Sequence, residues 1–161
     1  MAKKEQDIVK QAHKHFSESV EVCNESVLKA LEDVEFAFAE DGQWQEDLRK
    51  KRKGQPCYTY NKVAGVVDRV IGQMRQNRPR IKVVGVEDSD KELAEIYTGL
   101  IKNIENTSDA AQAYDWAFMY AVTGGYGVFR IITDYSDPTS FDQEIKFVKG
   151  KNPFSYYYDP M

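Results

Sequence analysis

The chain has 161 residues, 42% of them hydrophobic and 30% charged, with a formal net charge of -4 and a pI near 5.3. That length can bury a real core, and the apolar fraction is too high for a disordered tail. No apolar run approaches the ~20 residues that cross a bilayer, MAKKEQDIVKQ holds no apolar leader segment, and an acidic chain lacks the cationic excess of a dedicated nucleic-acid binder.

Residues 6–40 carry a helical pattern, with Val9, Ala12, Phe16, Val20, Cys23, Val27, Leu31, Val34 and Phe38 spaced by threes and fours. The stripe is narrow, as in a coiled coil or a helix lying on a larger body, and could be one bent helix or two meeting near Asn24. Asp41-Gly42 is expected to end it, Gly supplying a left-handed C-cap. Residues 43–61 read as a short helical turn around Trp44 and Leu48, then a loop whose Asn61 caps the next helix.

That helix covers about 62–77, with Val63, Val66, Val67, Val70, Ile71 and Met74 on one face, and Arg78-Pro79 stops it. Arg80 to Val86 is β-branched and partly alternating, so a strand is expected. Ser89-Asp90-Lys91-Glu92 has the spacing of a capping box, opening a helix to about Asn106 that buries Leu93, Ile96, Tyr97, Leu100 and Ile104. Ser108 or Asp109 caps a helix to about Thr123. It is apolar nearly all round, which marks it as central.

Gly124-Gly125 ends that helix, and a strand follows over 126–135. The Ser136-Asp137-Pro138 turn leads to an antiparallel partner at about 144–149, and Tyr156-Tyr157-Tyr158 reads as the start of a third strand. A terminus that presents a fresh aromatic strand suggests an N-terminal piece of something longer. The fold class is therefore α+β: a long N-terminal helix, several packed helices and a small, mostly antiparallel sheet, truncated C-terminally.

Charge runs in blocks. Seven acidic residues and no basic one lie between Glu32 and Asp47; Arg49, Lys50, Lys51, Arg52 and Lys53 then reverse the sign. Residues 62–82 stay basic, with Arg69, Arg75, Arg78 and Arg80 against Asp68. Such blocks either pair copies of the chain head to tail or serve as solvated faces. The 49–53 run, with Trp44 and Tyr58 nearby, could instead contact nucleic acid, and the alternative reading is a nucleic-acid-binding module using 49–53 and 62–82.

No catalytic constellation stands out. Gly124-Gly125-Tyr126-Gly127 follows a helix and opens a strand, the reverse of a phosphate loop. His13 and His15 point different ways on a helix, and Cys23 and Cys57 form neither a disulfide framework nor a metal-ligand pattern. Neither an enzyme nor a cofactor or metal site is expected.

Four segments are more telling together. They are Gly42-Gln43-Trp44 with Arg52 and 55–62 (QPCYTYNK); 73–83 (QMRQNRPRIKV); 113–118 (AYDWAF) with 124–131 (GGYGVFRI); and 152–155 (NPFS) with Tyr158-Asp159-Pro160. In this order the chain, over about residues 30–161, resembles the N-terminal region of portal proteins from short-tailed double-stranded DNA phages. The resemblance implies a ring, typically a dodecamer, at one capsid vertex, through which a separate terminase drives DNA. It implies no covalent chemistry and no cofactor. Its partners would be other copies of the chain, capsid and scaffolding proteins, and double-stranded DNA in the channel. Terminase and tail adaptors would dock on regions absent here, and no membrane is involved. The protein would reside in the virion, and in host cytoplasm during assembly.

The resemblance assigns 1–161 to the N-terminal part of the portal wing. Residues 1–41 are then a helical arm, 42–123 helices with one strand, and 124–161 the start of a β-rich segment. Arg49, Lys50, Lys51, Arg52, Lys53, Arg75 and Arg78 are the candidate subunit-interface or nucleic-acid contacts. The Gln76-Asn77-Arg78-Pro79 break is expected to be architectural first.

Overall fold

A computed structural model describes residues 2–38, 42–86 and 90–158, with side chains from residue 7 onward. Five helices precede a hairpin: α1 (Ala2–Phe38), α2 (Glu46–Lys51), α3 (Val63–Gln76), α4 (Lys91–Thr107), α5 (Ala110–Gly124), β1 (Phe129–Tyr135) and β2 (Gln143–Lys149), followed by a short 3-10 turn at Pro153–Ser155. The expected α+β class is what the chain adopts.

The first helix is continuous, with no break at Asn24. Its inward stripe is made of small residues, Ser19, Cys23, Ala30 and Ala37, all buried. Small side chains let the helix lie close to α5, where Gly124 sits beside Ala30. Asp41 lies outside the described residues. At Gly42 the described residues show a close approach. Glycine is needed because a Cβ there would overlap the carbonyl of Glu35, where the chain turns back onto the last turn of α1.

The third helix follows its forecast within a residue at each end. Asn61 caps it: its Oδ1 accepts from the backbone N–H groups of Val63 and Ala64, both at 3.1 Å. Val67 and Ile71 are buried, whereas Val66, expected on the same face, is exposed.

The segment after it corrects the forecast. Residues 80–85 form no strand, and Val84 and Val86 are 76% and 97% exposed. β-branched character favours an extended chain, but a strand exists only when a neighbour pairs with it. Here the N–H of Val83 donates instead to Thr98 Oγ1 at 3.1 Å, so a side chain of α4 takes the place of a ladder.

The fourth helix is rotated from its forecast. Ser89, the expected cap, lies outside the described residues. Ala94 is buried and Thr98 half-buried, while Leu93, Ile96, Tyr97 and Leu100 are about half exposed. Of the expected stripe only Ile104 packs against the core.

The fifth helix is central, as its all-round apolar character predicted. It touches α1, α3, α4 and both strands, and buries Ala110, Ala113 and Ala117. Neither forecast cap bonds its backbone from the side chain. Ser108 Oγ donates back to the Ile104 carbonyl at 2.5 Å, and the Asp109 carboxylate accepts from the Gln112 side chain at 2.6 Å. Gly125, with φ of 86°, closes the helix in the left-handed region.

The hairpin pairs Phe129 with Lys149 and Tyr135 with Gln143, antiparallel, around the predicted turn. Tyr114 on α5 stands edge-on to Phe129 at 5.2 Å and to Phe147 at 5.7 Å. These rings join Ala110, Ala113 and Ile104 in the core.

The third strand is not formed over residues 156–158. Asn152 Oδ1 accepts from the Phe154 N–H at 3.0 Å, and Pro153 is fully buried, so the chain makes a tight turn away from the sheet edge. It runs to α1 instead: Tyr157 meets Phe16 at 5.7 Å, and Cys23 Sγ donates to the Tyr158 carbonyl at 3.8 Å.

Candidate functional site

The structure separates the seven candidate cations into two groups. Arg49, Lys50 and Lys51 belong to α2, and Arg52 and Lys53 follow it. Lys50 pairs with Glu46 at 3.5 Å, one helical turn earlier. The Arg52 guanidinium lies over the Trp44 ring, 5.1 Å from its centre, and donates to the Pro56 carbonyl at 3.5 Å. Lys53 and Gly54 take left-handed backbone, with φ of 36° and 84°, and turn the loop away from the helix. The basic run therefore stands on an exposed corner with part of its charge held internally.

Arg75 and Arg78 lie elsewhere. Both reach across to α5, where Asp115 accepts from Arg75 Nε at 2.8 Å and from Arg78 Nη2 at 2.9 and 3.1 Å. The carboxylate is 18% exposed, against 58% and 36% for the two arginine side chains. This clamp fixes the end of α3, where Arg78-Pro79 leaves the helix, against α5.

Two of the four sequence segments thus meet directly, 73–83 and 113–118 through Arg78 and Asp115, and further bonds tie the segments to neighbouring elements. Asn61 Nδ2 donates to the Ala37 carbonyl at 2.7 Å, tying the start of α3 to the end of α1. Arg78 meets Asp115. Trp116 Nε1 donates to the Gly150 carbonyl at 2.7 Å, tying α5 to the end of β2. In the third segment, a Cβ on Gly127 would overlap the Ala117 carbonyl, so the chain leaving α5 passes against the helix itself.

Beside the clamp, the 78–82 segment, α4 and α5 enclose a groove of about 990 Å3. Pro79, Ile81, Ala117 and Phe118 give it an apolar lining, and Arg80, Lys82 and Lys102 stand at its edge, all exposed. Sequence reasoning placed Arg80 and Lys82 in the basic 62–82 stretch without naming either as a candidate contact, and it passed over Lys102. The signal of Arg80 and Lys82 was the alternation Arg80-Ile81-Lys82, which looked like a strand and is part of the cationic border of a groove.

At its inner end Tyr114 donates to Glu105 Oε1 at 2.7 Å. Burial, that hydrogen bond and the Glu105 charge together push the phenol well above its usual range. Burial, then the neighbouring Cys23, Tyr157 and Tyr158, raises Tyr126 in the same direction. Both cysteines are free thiols. Among the described residues no group of three His, Cys, Asp or Glu could hold a metal ion, and no described helix is long and apolar enough to cross a membrane.

These features are ties between elements and chemically mixed surfaces, suited to packing and docking. Comparison with known proteins gives the family. The family model of phage P22-like portal proteins matches residues 13–161. A portal protein of Acyrthosiphon pisum secondary endosymbiont phage 1 is 31% identical over 143 residues, covering 82% of this chain and 20% of the relative. The chain thus spans about one fifth of the length of that curated relative. With the match running from the middle of α1 through the hairpin and the turn after it, the chain belongs to the P22-like family of phage portal proteins.

Proposed function

We propose that the chain forms part of a structural subunit of a phage portal ring, through which double-stranded DNA is packaged into and ejected from the capsid. The family match over residues 13–161 carries this reading. The region supplies part of the wing and performs no covalent chemistry. Its partners are other copies of itself, capsid and scaffolding proteins, and DNA passing through the channel; terminase and tail adaptors engage other parts of the portal. It resides in the virion, after assembly in host cytoplasm.

Two physical features support the reading. A conduit must let its cargo slide, and a chain of net charge -4 does not add phosphate grip. Among the basic residues, Lys50, Arg52, Arg75 and Arg78 already have partners within the chain, which favours a structural part for them over phosphate contact.

A genetic test is direct. A stop codon early in this reading frame should leave capsid shells that contain no DNA, with packaging restored by the gene in trans. DNA-filled particles formed in its absence would overturn the proposal.

A further inference from the structure

Among the described residues two surfaces are left without a partner, and they are opposite in charge. The first is the groove between the 78–82 segment, α4 and α5. Its cations Arg80, Lys82 and Lys102 form no ion pair with a described residue. The apolar lining between them is wide enough to take side chains from a partner.

The second is the outer face of α1. The helix is held to the body through Cys23, Ala30 and Ala37. The opposite side carries Glu21, Glu25, Leu28, Glu32, Glu35 and Phe36, all exposed. Their spacing by threes and fours puts them on one stripe. Lys29 lies beside it and is bonded to Glu25 at 2.6 Å. Leu28 and Phe36, 54% and 46% exposed, stand about 12 Å apart along the helix at 1.5 Å per residue. An acidic stripe with two apolar side chains is the complement of an apolar groove bordered by cations.

We propose that the acidic face of α1 in one copy docks into the basic-edged groove of a second copy of this chain. Within one copy α1 is fixed on α5 by its inner stripe, which turns the acidic face outward, so the pairing joins neighbours. Leu28 and Phe36 enter the apolar lining, and Glu21, Glu32 and Glu35 meet Arg80, Lys82 and Lys102. Each copy offers a different surface on each side, so the contact is heterologous and closes into a ring when the rotation per copy allows. The inference rests on the assembly reading above and names the surfaces that carry it.

Charge exchange tests it. One variant reverses the groove (Arg80→Glu, Lys82→Glu, Lys102→Glu) and another the helix (Glu21→Lys, Glu32→Lys, Glu35→Lys). Sedimentation velocity on each, with circular dichroism to verify folding, should show self-association weakened at least about tenfold. An equimolar mixture should regain wild-type association, because each variant's groove now matches the other's helix. Variants that assemble like the wild type would overturn the inference, as would a wild type that stays monomeric at high concentration. A groove variant that only loses thermal stability, with no rescue on mixing, would mean that another segment of the same polypeptide fills the groove, and would also overturn it. None of these outcomes touches the portal reading, which stands or falls on the packaging test.

Discussion

Arg78 Nη2 lies 2.9 Å from one Asp115 oxygen and 3.1 Å from the other, joining the end of α3 to the middle of α5 across thirty-seven positions of sequence. Arg75 adds a third bond to the same carboxylate. The acceptor is the better buried partner, so its loss leaves two guanidiniums without their counter-ion. Asp115→Ala should cost about 1–3 kcal/mol in urea denaturation. Arg75→Ala should cost less than Arg78→Ala, since Arg75 is the more solvated. An Asp115→Ala protein as stable as the wild type would show that the clamp contributes nothing.

Asn61 uses both ends of its amide. The oxygen caps α3 and the nitrogen holds the Ala37 carbonyl of α1. Asn61→Ala should lose about 1–2 kcal/mol. Asn61→Asp keeps the cap but sets a carboxylate against the Ala37 carbonyl, and should lose stability as well. If Asp restores full stability in thermal melts, the cap alone matters and the link to α1 does not.

Two glycines should respond in opposite directions. A side chain on Gly127 would overlap the Ala117 carbonyl, so Gly127→Ala must push β1 away from α5 and should cost about 3 kcal/mol or more. Gly72, inside α3, has nothing within 4 Å of an added Cβ. Gly72→Ala should therefore stabilise by about 0.5–1 kcal/mol through helix propensity. Equal effects from the two substitutions, read from denaturation midpoints, would contradict the close approach at Gly127.

Tyr114 ties stability to alkaline pH. Its phenol is raised above the ordinary 10.0 by burial first and the hydrogen bond to Glu105 second. A raised value favours the protonated form in the folded state. The stabilisation is therefore complete below the unfolded value and is lost as pH rises from there through the folded value. The stability gap between wild type and Tyr114→Phe should be constant at neutral pH and shrink above about pH 10. A gap that does not change with alkaline pH would show that the phenol is not held protonated by the fold.

Local signals in the sequence carried most of the secondary structure. The uninterrupted spacing of α1, Asn61 before α3, Pro79 after it, the apolar circumference of α5 and the Ser136-Asp137-Pro138 turn are all decided by residues within a few positions of one another. The family, too, was legible, because Arg78-Pro79, Tyr114-Asp115-Trp116 and Asn152-Pro153-Phe154 stand in order along the chain.

Tertiary structure decided what those elements face. An extended, β-branched stretch becomes a strand only if a partner is free to pair, and Val83 found Thr98 instead. An amphipathic helix has an apolar stripe whether or not anything covers it, so α4 could turn Ala94 inward and leave Leu93 and Ile96 half exposed. A run of cations reads alike whether its charges are paired or open. Only the folded chain puts Asp115 between Arg75 and Arg78 and leaves Arg80, Lys82 and Lys102 along a groove. Sequence alone determined which pieces form, through short-range sterics and hydrogen bonding; the fold determined which surfaces remain open, because burial depends on residues far apart in the chain.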